Sequence, residues 1–276
     1  MESHESLNAI VDELLAEMEQ AGGPISSDLS RPSEILLRLA DALGHVLDHS
    51  VPWQPDSWVT GVVDCGDLDP GTRGAVDSTL ALLRAEDPYR VSRRQVFRLA
   101  NANIVEPVSL FVAVMVWGHG SIGYGWWRTR EIMRRYNYAE LNKRLTAQIA
   151  AARQGAAAAW DAWTASAHLQ GMSTAFASKV AYFAVPDQLV ESSRPRPLIA
   201  DRNTAWAIWA LTGLSNTRTQ KAKYRTYVQT LDQWARPSHR ADALERALFC
   251  LGPFVIDHWE DRCGNGEPRQ RRAQHD

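Results

Sequence analysis

Apolar residues recur at three- and four-residue spacings along most of this chain, and that period dictates helices. In "SLNAIVDELLAEMEQAGG" the residues Leu7, Ile10, Val11, Leu14, Leu15 and Met18 share one face, and glycines end the run. "PSEILLRLADALGHVLDH" repeats the pattern through Ile35, Leu36, Leu39, Leu43, Val46 and Leu47. A Pro/Gly/Asp-rich stretch follows to about residue 75 and reads as loop, with a short strand at "WVTGVV". Helical periods then resume, and no alternating-strand pattern is found beyond residue 75. The expectation is a mostly α protein with a helical N-terminal region over 1–75, a core over 76–259 and a charged, disordered tail over 260–276.

Composition narrows the function classes. With 276 residues, 45% of them hydrophobic and 22% charged, the chain has the profile of a globular protein with a substantial core. The formal net charge of −2 gives no global attraction to a polyanion, so nucleic-acid binding requires local patches. Arg90, Arg93, Arg94 and Arg98 form one such group, Arg128, Arg130, Arg134 and Arg135 a second, and Lys221, Lys223 and Arg225 a third. Cys65, Cys250 and Cys263 lie far apart, without metal-ligand spacing, so no metal or other cofactor is expected and a reducing, cytoplasmic setting fits. The longest apolar stretch, "SLFVAVMVWG", is about half of the roughly 20 residues that span a bilayer, so it reads as a buried helix and no membrane partner is expected.

Two residues stand out chemically. "LQGMS", residues 169 to 173, is a tight turn between helices in which Gly171 takes the positive φ. The helix that follows opens with Ser173 and Thr174, and its first backbone N–H groups suit a phosphate. Phe176, Val180 and Phe183 form that helix's apolar stripe. Lys179 lies beside the stripe, where partial desolvation makes an amine a better nucleophile. Asp201, in "PLIADRNTAW", stands at the start of another helix, whose positive end favours the carboxylate. A fixed carboxylate of this kind stabilises an oxocarbenium-like sugar or activates water. Each residue alone also has an ordinary reading, a snorkelling surface lysine and a helix cap.

The order of these pieces resembles the helix–hairpin–helix DNA glycosylase superfamily, and within it the branch like 8-oxoguanine glycosylases. The resemblance covers roughly residues 108 to 250 and is tight over 169 to 206. It rests on Leu169 and Gly171 of the hairpin, on "KVA" from Lys179 to Ala181, and on "PLIAD" ending at Asp201. The hairpin lacks the family's proline, Ser173 stands where a second glycine is usual, and "TAFAS" separates turn from lysine. The resemblance implies two helical subdomains with a DNA cleft between them, Lys179 and Asp201 as catalytic residues, and Gly171, Ser173 and Thr174 on the DNA backbone. It also implies that the loop in "VMVWGHGSIGYGWWRTREIMRR" enters the minor groove with Ile122 or Tyr124 as wedge. Arg128 and Arg130 would follow on phosphate, and Trp117, His119, Trp127 and Trp206 would line a base pocket. The implied partner is double-stranded DNA carrying a modified base, with no obligate protein partner. The implied reaction is removal of 8-oxoguanine in repair, or of a hypermodified base such as glucosylated hydroxymethylcytosine in phage defence. A non-catalytic DNA-binding module of the same fold is the alternative.

Overall fold

The computed structural model describes residues 2–101, 106–186, 195–235 and 239–263. Among them the chain forms α1 (Glu2–Ala21), α2 (Glu34–Ala42), α3 (Pro55–Trp58), α4 (Pro70–Glu86), α5 (Arg93–Asn101), α6 (Pro107–His119) and α7 (Gly125–Met133). There follow α8 (Tyr138–Ala152), α9 (Ala156–Asp161), α10 (Thr174–Ala184), α11 (Arg202–Thr212), α12 (Lys221–Trp234) and α13 (Ala241–Cys263). The strands β1 (Ser50–Pro52) and β2 (Arg90–Ser92) pair antiparallel, with Val51 opposite Val91. The protein is mostly helical, as the 3.6-residue period predicts.

Two local expectations need correction. "WVTGVV" is not a strand: α3 ends at Trp58 and a π-helical turn covers Val59–Val63. Within this turn residue 61 must be glycine, because a Cβ there would lie 2.2 Å from Cε3 of Trp126. A bare backbone is what lets that ring approach. The short strand β2 lies beyond residue 75, where no strand was expected.

Packing divides the chain into two compact units, one of residues up to 46 and from 198 onward, the other of 47–197. This differs from a boundary at 75, and the hydrogen bonds give the reason. In the first unit the N-terminal segment is tied to the C-terminal helices: Ile25 N donates to Ala210 O (2.9 Å), Trp234 Nε1 to Leu29 O (2.9 Å) and Arg246 Nη1 to His45 O (3.1 Å). Its centre is α11 against α13. Gly252 allows that approach, since a Cβ there would fall 2.4 Å from Cα of Asn203. Helix α13 runs on to Cys263, past the expected start of the tail, and the rest of the tail lies outside the described residues.

The second unit is built around α6. Leu110 through Trp117 are all buried, so this helix is enclosed by α4, α5, α8 and α10 rather than half-exposed. Among the described residues no helix is long and apolar enough to cross a membrane.

Candidate functional site

The hairpin lies in the second unit and is held by side chains. Gly171 has φ +90°, as the turn requires. Four polar groups satisfy the turn's backbone: Gln148 Nε2 donates to Ala167 O (2.7 Å), Arg144 Nη1 to His168 O (3.0 Å) and Arg128 Nη2 to Gly171 O (3.1 Å), while Gln170 N donates to Tyr136 Oη (2.8 Å). An irregular turn has no ladder to satisfy its peptide groups, so this clamp replaces one. Arg128, expected on phosphate, therefore links α7 to the hairpin. The partners Tyr136, Arg144 and Gln148 were not singled out in the sequence; their i, i+4 spacing on α8 (Arg144, Gln148) was the available signal.

Helix α10 starts straight after the clamp. Ser173 occupies its N-cap position, but its side chain makes no capping hydrogen bond. Ser173 is exposed and Thr174 half-exposed. The open helix start has the positive end and the free N–H groups that an anion needs.

Lys179 is buried, at 6% exposure, which corrects the expectation of a residue at the edge of the apolar face. Its ammonium lies 5.5 Å from the centroid of the Phe176 ring, a cation–π contact. Gly118 of α6 makes room for it: a Cβ at 118 would stand 2.8 Å from Phe176 Cε1 and 3.1 Å from Lys179 Cδ. His119, the last residue of α6, also stacks on Phe176, with ring centroids 4.2 Å apart and planes at 27°. Burial, then the charges of Lys179 and Arg128, pull the His119 pKa down from 6.5 to about 4. The imidazole is neutral at physiological pH, and Nε2 has no hydrogen-bond partner among the described residues.

The loop between α6 and α7 carries the exposed apolar residues expected of a wedge. Ile122 is 51% exposed and Tyr124 59%; Trp127, expected in a base pocket, lies in the first turn of α7 and is 43% exposed. Trp117, expected in a base pocket, is instead packed in the core among His49, Phe183 and the Arg93 guanidinium.

Asp201 and Trp206 belong to the first unit. Asp201 is buried and forms a capping box: Thr204 N donates to its Oδ1 (3.1 Å), and Asp201 N donates to Thr204 Oγ1 (3.0 Å). The preceding extended segment is pinned by two phenols of α12, with Tyr224 Oη donating to Leu198 O (3.0 Å) and Tyr227 Oη to Ile199 O (2.8 Å). Burial pushes both phenol pKa values up, and the charges of Glu245 and Asp201 push Tyr227 further, so both remain neutral donors. Trp206 is fully buried with its ring edge-on to Trp209, so it shows no free face.

The basic clusters are more occupied than their spacing implies. Arg93 is 1% exposed, with its guanidinium 5.1 Å from the centroid of Tyr182, so it is a core residue and not a phosphate contact. Arg94 pairs with Asp48 and Arg98 with Glu86. Arg130 contacts Cys65 Sγ (2.6 Å) and Gly61 O (3.3 Å). It lines a cleft of about 480 Å³ with Asp56, Ser57, Thr60, Gly61, Cys65 and Trp126. Among the described residues no group of acidic, histidine and cysteine side chains is placed to hold a metal.

Comparison with known proteins identifies the class. The family model described as "Putative 8-oxoguanine DNA glycosylase OGG-like protein" matches residues 44–249, about three-quarters of the chain. The chain belongs to this OGG-like family. Searches of curated proteins and of solved structures each returned no match.

Proposed function

We propose that this protein is a DNA glycosylase that extrudes a modified base from duplex DNA and cleaves its N-glycosidic bond, leaving an abasic site. The observation that carries the reading is the constellation around Lys179. A buried ammonium sits on the helix that opens from the clamped hairpin, and the rings of Phe176 and His119 link it to Tyr124 in the loop that exposes Ile122 and Tyr124. An unpaired surface lysine needs no such housing. In this reading the hairpin and the open start of α10 take a backbone phosphate, and Ile122 or Tyr124 fills the gap left in the duplex. Asp201 stabilises the positive charge that develops on the deoxyribose as the base departs. Lys179 is the nucleophile at the anomeric carbon. For this its ammonium must first give up a proton. The amine then bonds to C1′ as the bond to the base breaks, and the departing base takes up a proton. Opening of the C1′–O4′ bond would give a Schiff base that permits strand nicking.

The family's description makes 8-oxoguanine the first substrate to test. A second reading, a glucosylated hydroxymethylcytosine met in phage defence, is favoured by the exposed Tyr124 and Trp127 rings, flat faces of the kind that stack on a sugar. Incubation with unmodified DNA, DNA carrying 8-oxoguanine and DNA carrying the glucosylated base decides between them, with abasic sites as the readout. Release from one DNA alone names the substrate. Loss of nicking with release retained in Lys179→Ala would confine that lysine to the strand-nicking step and leave base release to Asp201 and water. Salt-sensitive binding without release from any DNA would favour the non-catalytic module.

A further inference from the structure

His119 is the buried titratable group that the proposed chemistry leaves unused. It is 5% exposed, and its Nε2 is buried without a hydrogen-bond partner among the described residues. A buried polar atom left unsatisfied ordinarily forfeits on the order of 1–3 kcal/mol. Such an atom in a native fold calls for a ligand, water or function to explain it. The ring is closely packed. Phe176 lies flat against it at 4.2 Å, and α7 begins so close that a Cβ on Gly125 would come within 2.5 Å of the His119 Cβ.

Tyr124 also meets the imidazole edge-on, with centroids 5.7 Å apart and planes at 74°. Yet Tyr124 itself is 59% exposed and belongs to the five-residue loop Gly120–Tyr124. One aromatic residue therefore has two relations: its ring covers His119, and it stands among the apolar side chains offered to DNA.

We infer that Tyr124 is the removable cover of a base-recognition site whose floor is the His119–Phe176 stack, and that an extruded base takes the place of the tyrosine ring when the loop enters the duplex. The inference rests on the glycosylase reading for its ligand, a planar heterocyclic base. The exchange replaces one aromatic contact by another, which keeps its cost low. It also gives the His119 nitrogen a partner. A neutral imidazole carries one N–H donor and one lone pair, which match the donor and acceptor edge of a nucleobase without adding a charge. Neutrality is secured by the surroundings: burial disfavours the charged ring, and Lys179 on α10 and Arg128 on α7 disfavour a third cation beside them. Opening the site also brings the base beside Lys179, so recognition and chemistry share one space.

The cover is tested first in the free protein, by following the histidine ring nitrogens by NMR against pH and assigning His119 by its absence in His119→Phe. In the wild type His119 stays neutral through pH 5. In Tyr124→Ala its midpoint moves up toward the ordinary imidazole value, because the uncovered ring regains water. An unchanged midpoint in Tyr124→Ala overturns the cover. Next, duplex DNA containing a tetrahydrofuran abasic analogue is added to the wild type, and the His119 signals should move as they do in Tyr124→Ala; unmoved signals in a saturated complex overturn the exchange. Last, His119→Phe keeps the stack and removes the nitrogens. It should bind the abasic duplex within about two-fold of wild type while losing roughly ten-fold or more in base release, the order of one lost base-edge hydrogen bond. Wild-type release rates in His119→Phe would remove the recognition role. If wild-type protein releases no base from any DNA, the glycosylase reading fails, while the titrations still decide whether Tyr124 covers His119.

Discussion

Helices α10 and α11 begin in opposite ways. Helix α10 follows a glycine turn whose peptide groups are satisfied from α7 and α8, and its own first turn is left without a side-chain cap. Helix α11 follows an extended segment pinned by two tyrosines, and its first turn is closed by the Asp201–Thr204 box. The surroundings differ too. Beside α10 lie a buried ammonium and a neutral imidazole; beside α11 lie neutral phenols and buried acids. An open helix start receives an anion from outside, whereas a closed one spends its donors on holding its own carboxylate in place. The proposed function uses both: the first for DNA phosphate, the second for a charge on the sugar.

The largest effect expected from this contrast is a pH dependence that arises on the α10 side. Because the folded pKa of His119 is depressed from 6.5 to about 4, the unfolded chain binds the extra proton between those values. Stability is therefore lost as pH falls from 6.5 toward 4, by on the order of 2–3 kcal/mol. Denaturant titrations at pH 7 and pH 4.5 should show that loss in the wild type, and a correspondingly smaller one in His119→Phe. Equal losses in the two proteins would place the titrating group elsewhere.

A steric effect comes next, on the α11 side. Gly252→Ala sets a methyl group against the backbone of Asn203, two residues after Asp201. Overpacking of this kind costs about 1–3 kcal/mol. The midpoint of thermal unfolding reports it, and an unchanged midpoint would mean that α13 yields.

The smallest effects separate the two starts most cleanly. Asp201→Ala removes a cap that is bonded and should cost about 1 kcal/mol, whereas Asp201→Asn retains the capping oxygen and should cost a few tenths. Ser173→Ala removes a side chain that caps nothing and should stay within about 0.5 kcal/mol. A cost near 1 kcal/mol at Ser173 would show that α10 is closed in solution.

How far the sequence discloses all this depends on whether the cause is local. The helices follow from the 3.6-residue period, and the hairpin from Gly171 between two such runs. Asp201 as a cap is legible because Thr204 lies three residues on. The deep burial of Lys179 is not, because it depends on Gly118 leaving space on a different helix. The core position of Arg93 likewise depends on Trp117 and Tyr182, distant in the chain, so its charge reads as a surface feature. "WVTGVV" reads as a strand but forms a π-helical turn, and the packing of Trp126 over Gly61, from a helix far along the chain, is not legible in that stretch. The neutral histidine depends on Phe176, Tyr124 and Lys179 converging on one ring, and no spacing within "GHGSIGYG" encodes that.

The central claim is that Asp201 is held for its charge and not only for its cap. Base release by wild type and Asp201→Asn is to be compared on the DNA from which the wild type releases a base, with matched unfolding curves. The account predicts a loss of on the order of 10²–10³-fold in rate at nearly unchanged stability, since the capping oxygen remains and the charge does not. Release at the wild-type rate by a folded Asp201→Asn protein would contradict it and leave Asp201 a helix cap.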